Sequence, residues 1–182
     1  MSNGCWHLQS AIENRKLSRF TENFWIRELG LKVVSMPPLE IPASLAPDLL
    51  ARVQARFAPW PLIQDWDMAF VAMDPGKATV SLRPNKHTLN GPRGSVNGGV
   101  LATVADMTCA LALCTVFDGL MPFATQDLHI RYLEPAKGEV IGKAELVRLS
   151  RRGAVLECRL MCGKNVVAHC TAHFSIKPNL PG

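Results

Sequence analysis

The sequence predicts an α+β fold in which an antiparallel sheet of about six strands curves around one long central helix, preceded by a helical extension. Three observations predict it. Residues 100–117 form a single apolar run of helical length, a hairpin pattern precedes that run, and four period-two segments follow it without another helix.

Taken in order, the first sixty residues differ from the rest. Ile12, Leu17, Phe20, Phe24 and Leu29 recur at helical spacing among charged residues, which predicts an amphipathic helix. Pro37, Pro38 and Pro42 then mark a linker, and Leu45, Leu49, Leu50, Val53 and Phe57 predict a second helix over 44–57, with Ser44 or Asp48 near its start. From Met68 the period changes to two, around the turn signal Asp74-Pro75-Gly76. A polar, glycine-rich loop over 85–99 leads into the apolar helix. In the next strand Leu128, Ile130 and Tyr132 share one face and Asp127, His129 and Arg131 the other, so one side should be buried. Strands over 139–147, 154–161 and 166–176 complete the set. Keeping the apolar faces of the last two together pairs 162 with 166, leaves Gly163-Lys164-Asn165 as a three-residue loop and sets Cys158 opposite Cys170. His169 and His173 then point away, so the Cys and His residues do not converge on a metal. These readings divide the chain into an extension and linker (1–43), one domain (44–178) and a tail (179–182).

Composition narrows the function. With 182 residues, 48% hydrophobic and 19% charged, the chain suits one domain plus a modest extension. Twenty basic against fifteen acidic residues give a net charge of +5, which fits an anionic partner such as nucleic acid, a lipid surface or a phosphorylated cofactor. Only 7% of residues are aromatic and the basic residues are scattered, which argues against nucleic acid. The start MSNGCWHLQSAIENRK lacks the apolar core of a secretory signal, so the six cysteines are expected to be reduced thiols in the cytoplasm. Asp106 interrupts the apolar run, which therefore reads as a buried helix and not a membrane span.

The segment Gly94 to Asp106 carries the chemistry. Asn97 is a good helix N-cap, and Gly98 and Gly99 leave first-turn N–H groups open to a ligand where the helix dipole is positive. Asp106 is the only ionisable group in the apolar run; burial there raises a carboxylate's pKa and suits it to act as base or nucleophile. An exposed polar stripe and close packing of the glycines would explain the same residues without chemistry. Eight residues separate Gly98 from Asp106, about 12 Å along a helix at ~1.5 Å per residue, too far to share one carbonyl. Two antiparallel copies of the helix would bring Gly98 of one to Asp106 of the other, so a working site requires at least a dimer.

The segment GSVNGGVLATVAD, followed by ATQDLHIRYLEPAKG and KNVVAHCTAHFSI, resembles the hotdog-fold acyl-CoA thioesterases, in particular the PaaI-like group of the phenylacetic-acid pathway. The resemblance covers roughly residues 65 to 177. It implies hydrolysis of an acyl-CoA at sites shared between subunits of a dimer or tetramer, with no metal and no cofactor beyond the coenzyme A of the substrate. By motif, Gly98 would polarise the thioester carbonyl, with Gly99 beside it, and Asp106 of the neighbouring chain would activate water or attack directly. Thr125 would orient the water or the carboxylate. Arg148, Arg151 and Arg152, in a loop between strands, would meet the coenzyme A phosphates. Two positions depart from the family. Asn97 stands where it usually has His, and Asn90 falls one residue out of register with its upstream Asn. The departures leave a non-catalytic acyl-CoA binder as the alternative; a dehydratase of the same fold would need a placed His, and only His87 is near.

Overall fold

The computed structural model describes residues 39–177; the helical pattern expected over 12–29 lies outside the described residues. In order, these form α1 (Leu49–Phe57), α2 (Pro61–Asp65), β1 (Met68–Asp74), β2 (Lys77–Leu82), α3 (Gly98–Cys114), β3 (Phe123–Tyr132), β4 (Val140–Leu149), β5 (Gly153–Cys162) and β6 (Asn165–Ile176). All belong to the unit Pro38–Gly182. The strands make one six-stranded sheet in the order β1-β2-β4-β5-β6-β3, antiparallel throughout. The sheet curves around α3, which is the expected hotdog arrangement.

α1 begins at Leu49 and not at residue 44. Pro47 explains the delay, because the residue before a proline is driven out of helical backbone. Leu49, Val53 and Phe57 form its buried face, and Phe57 packs edge-on against Phe70 at 5.5 Å between ring centroids. The long helix is apolar on nearly every side. Val100, Leu101, Val104, Ala105, Cys109, Leu111, Ala112 and Leu113 are all buried in it, and a helix apolar all round is stable only when enclosed. It is also the one described helix long and apolar enough to cross a membrane, and it is mostly buried within the fold. Gly142 of β4 allows its close approach: a Cβ there would lie 2.6 Å from the Thr108 hydroxyl of α3. Filling that space would push helix from sheet, where truncating one buried leucine already costs about 2–5 kcal/mol.

Two expectations about the strands need correction. Cys162 pairs with Asn165, which leaves a two-residue turn, Gly163-Lys164. The register then shifts between Leu160 and Met161, so Val167 and Ala168 are both buried. This bulge takes the place of the longer loop, and Cys158 still faces Cys170. β3 is not buried on one side. It is an edge strand, so Leu128 and Ile130 are only half-buried and Tyr132 is 51% exposed. Thr125 reaches α3 and meets Asp106, as the motif implies. The register of β3 on β6 slips between Thr125 and Asp127, and the extra residue, Gln126, lets both Thr125 and Leu128 face inward.

Candidate active site

The loop after β2 is tied down before it enters α3. The Asn97 N–H donates to the Thr88 carbonyl at 3.0 Å, and the Val96 N–H to the Ala136 carbonyl at 2.8 Å. Asn97 is the N-cap: its side-chain oxygen accepts the Gly99 N–H at 2.7 Å. The carboxamide is thereby oriented, with its oxygen committed to the cap and its NH2 group free of protein acceptors among the described residues. The Gly98 N–H also has no acceptor among the described residues, as expected of a first-turn amide.

Against Gly98 lies a residue that sequence reasoning assigns only to the apolar face of a strand. The Tyr132 hydroxyl donates to the Gly98 carbonyl at 2.7 Å. A Cβ at position 98 would sit 3.3 Å from the Tyr132 ring, so glycine is what lets the ring approach the helix start this closely. The sequence carries no signal for this contact, because a tyrosine left half-exposed at a sheet edge can give its hydroxyl to water. An open cleft of about 320 Å³ borders this point, lined by Val96, Gly98, Leu101, Tyr132, Leu133 and Pro135 among others. It is mostly apolar, with Gly98 at its wall.

Asp106 lies two turns further along α3. Thr125 donates to its Oδ1 at 2.9 Å. Burial raises the Asp106 pKa above the ordinary carboxylate value, while the threonine hydrogen bond pulls it down; burial wins. Behind it the thiols of Cys109, Cys158 and Cys170 meet in the core, where mutual contact and burial push Cys109 up and contact with Cys109 holds Cys170 down. Among the described residues no cluster of three His, Cys, Asp or Glu is placed to hold a metal ion.

The structure therefore makes two groupings. Asn97, Gly98, Gly99 and Tyr132 meet at one end of β3, and Asp106 and Thr125 meet near the other. Within one chain the groupings stay apart. Asn90 is exposed in the loop before α3, with no side-chain hydrogen bond among the described residues. The three arginines are not all in one loop: Arg148 belongs to β4, beside a register shift at Val147, whereas Arg151 and Arg152 occupy the β4–β5 turn. All three are exposed. Thr125 pairs with Phe174, and Phe174 with Ala154, so the turn lies at the Asp106 end of the sheet.

A model described as the thioesterase superfamily matches residues 93–169, from just before α3 into β6. A curated Halobacterium salinarum protein named as an esterase is 37% identical over 75 residues, 40% of this chain and 50% of that protein, so the chain spans half the length of this relative. Among solved structures, a single-site variant of the phenylacetic acid degradation protein PaaI from Thermus thermophilus is 25% identical, with a TM-score of 0.58, over 64% of this chain and 98% of that one. The PaaI protein of Escherichia coli, at 20% identity and TM-score 0.66 over 76% and 98% of the two chains, shares the fold.

Proposed function

We propose that this chain, which matches the thioesterase superfamily over residues 93–169 and is similar to PaaI proteins, is a hotdog-fold thioesterase that hydrolyses an acyl-CoA thioester at sites shared between two copies. The observation that supports this reading best is Asp106: a half-buried carboxylate with a raised pKa, held by Thr125 on an otherwise apolar helix. Few structural roles call for a carboxyl group there.

The second copy follows from the edge strand. β3 pairs only with β6, so its other edge offers unpaired backbone groups. Antiparallel pairing of two β3 edges about a two-fold axis near Leu128 and His129 sets Thr125 of one copy across from Tyr132 of the other. Asp106 of one chain then approaches Gly98 of its neighbour. The thioester carbonyl accepts from the Gly98 N–H and the Asn97 NH2. Asp106 of the neighbouring copy takes a proton from water, whose oxygen bonds to the carbonyl carbon. Collapse of the oxyanion breaks the C–S bond, and the products are the free acid and the coenzyme A thiol. Arg151 and Arg152 are proposed to meet the phosphates, with Arg148 on the adjoining strand; the location is proposed to be the cytoplasm.

Hydrolysis of a panel of phenylacetyl, benzoyl, hexanoyl and palmitoyl thioesters tests the reading, followed by loss of the thioester absorbance because the protein's own cysteines would confuse a thiol reagent. At least one member is expected to turn over, and Asp106→Asn to lower kcat by about 10²–10⁴-fold with binding retained. Tight binding of the panel without turnover by the wild type would leave an acyl-CoA binder in place of the enzyme.

A further inference from the structure

We infer that Tyr132 is a positioning residue for the carbonyl-binding donors, acting through the Gly98 carbonyl; the inference rests on the acyl-CoA reading above. The Tyr132 hydroxyl donates to the Gly98 carbonyl at 2.7 Å, and the amide on the other side of that same peptide unit, the Gly99 N–H, donates to the Asn97 side-chain oxygen at 2.7 Å. Phenol, peptide and carboxamide form one directed chain of hydrogen bonds. Such chains polarise their members in the same sense, so the phenol strengthens the pull on the Asn97 oxygen and leaves the Asn97 NH2 a better, more fixed donor. The ring acts at the same time on the neighbouring donor: it lies against Gly98, where a Cβ would meet it at 3.3 Å, and fixes the plane of the Gly98 backbone.

Two further features separate this from ordinary packing. Tyr132 is 51% exposed at the wall of the cleft, so its apolar burial is modest and its hydroxyl is not forced inward for want of water. Its contact is also with the first residue of α3, where the carbonyl already serves the helix and a second hydrogen bond adds direction more than stability. The peptide unit held by Tyr132 aims its own N–H at the Asn97 carboxamide, so the phenol acts on the substrate carbonyl through that side chain, and donors positioned in this way gain from being held by a third group.

Tyr132 is the only tyrosine in the chain, which makes the test clean. Biosynthetic 3-fluorotyrosine labels this position alone and makes the phenol a stronger donor, while Tyr132→Phe removes the donor and keeps the ring. The binding probe is a ketone analogue of hexanoyl-CoA in which a methylene replaces the thioester sulfur, with free coenzyme A as control. Tyr132→Phe is expected to bind the ketone about threefold to tenfold more weakly and free coenzyme A equally well, with the fluorotyrosine protein shifted the opposite way. In turnover the loss should fall on kcat and not KM, and the Gly98 carbonyl carbon resonance should move in Tyr132→Phe. Equal affinity of wild type and Tyr132→Phe for the ketone overturns the inference. A wild type that binds the ketone with the expected Tyr132 dependence but hydrolyses no thioester overturns the enzyme reading alone, and a wild type that binds no ketone overturns both.

Discussion

At the start of α3 the candidate groups are backbone amides and a carboxamide, fixed by a cap, two anchoring loop bonds and an aromatic ring. At Asp106 a single carboxylate stands in apolar surroundings with one hydroxyl for company. Donors for a developing oxyanion must not move during the reaction, so they are built from backbone and held from several sides. A base must change its charge, so it is set by environment: enough burial to raise its proton affinity, and one hydrogen bond to aim it. Both ends are latched to β3, by Tyr132 and Thr125, so the strand that joins two copies in the proposed assembly also aligns both halves of the site.

The sharpest way to break this comparison is to separate the halves genetically. Gly98→Val places a side chain against the Tyr132 ring and disturbs the donors, and Asp106→Asn removes the base; each is expected to cost about 10²-fold or more alone. When equal amounts are unfolded and refolded together, half the dimers are mixed, and in each mixed dimer one site receives intact Gly98 and intact Asp106. Activity should return to about one quarter of wild type. Mixed dimers verified by mass spectrometry and still inactive would place both groups of a site in one chain.

A smaller effect is expected at the latch of the acidic end. Thr125→Val deletes the hydrogen bond that lowers the Asp106 pKa and leaves the burial that raises it. The acidic limb of the rate profile in kcat/KM should therefore move to higher pH, with kcat reduced about tenfold from lost aim. An unmoved acidic limb would mean that Asp106 is not the group titrating in the profile.

What the sequence makes legible at the two ends is divided by locality. The apolar run fixes α3, the alternation fixes the strands, and the Asn-Gly-Gly signal and the lone Asp106 mark both ends of the site in one short segment, because helix caps and buried charges are local features. The latches are not local. Only the family motif sets Thr125 beside Asp106; the contact itself depends on the extra residue at Gln126, which changes the face of every residue before it, and nothing in the alternation of Leu128, Ile130 and Tyr132 announces the slip. Tyr132 escapes the sequence for a related reason: its periodicity assigns it to a buried face, but β3 is at the sheet edge, a matter of strand order that no stretch of sequence states. The same holds for Arg148, which a register shift beside Val147 keeps within β4.

The smallest effect concerns stability, and its sign distinguishes the two ends. Asp106 has a folded pKa above its unfolded value, so the folded state binds the proton more tightly. Its contribution to stability is fully present below the ordinary aspartate pKa and is lost as pH rises through the raised folded value. At neutral pH the ionised, half-buried carboxylate is therefore a net cost, and Asp106→Asn, whose side-chain oxygen still accepts from Thr125, should stabilise the fold while abolishing turnover. The gain is expected to be small, because solvent screens a half-buried group, and to appear as a higher Tm for the variant at neutral pH. Thermal unfolding of both proteins at pH 7 and near pH 3.5 checks it: the gap should be present at pH 7 and close at the lower value, where the wild-type carboxyl is protonated. Tyr132→Phe offers the contrast, since its hydrogen bond is between neutral groups and any change in Tm should be independent of pH over the same range. A gap for Asp106→Asn that persists at low pH would mean that the variant gains by packing and not by removing a charge, and the carboxylate would then lose its claim to be a base held ready at the expense of stability.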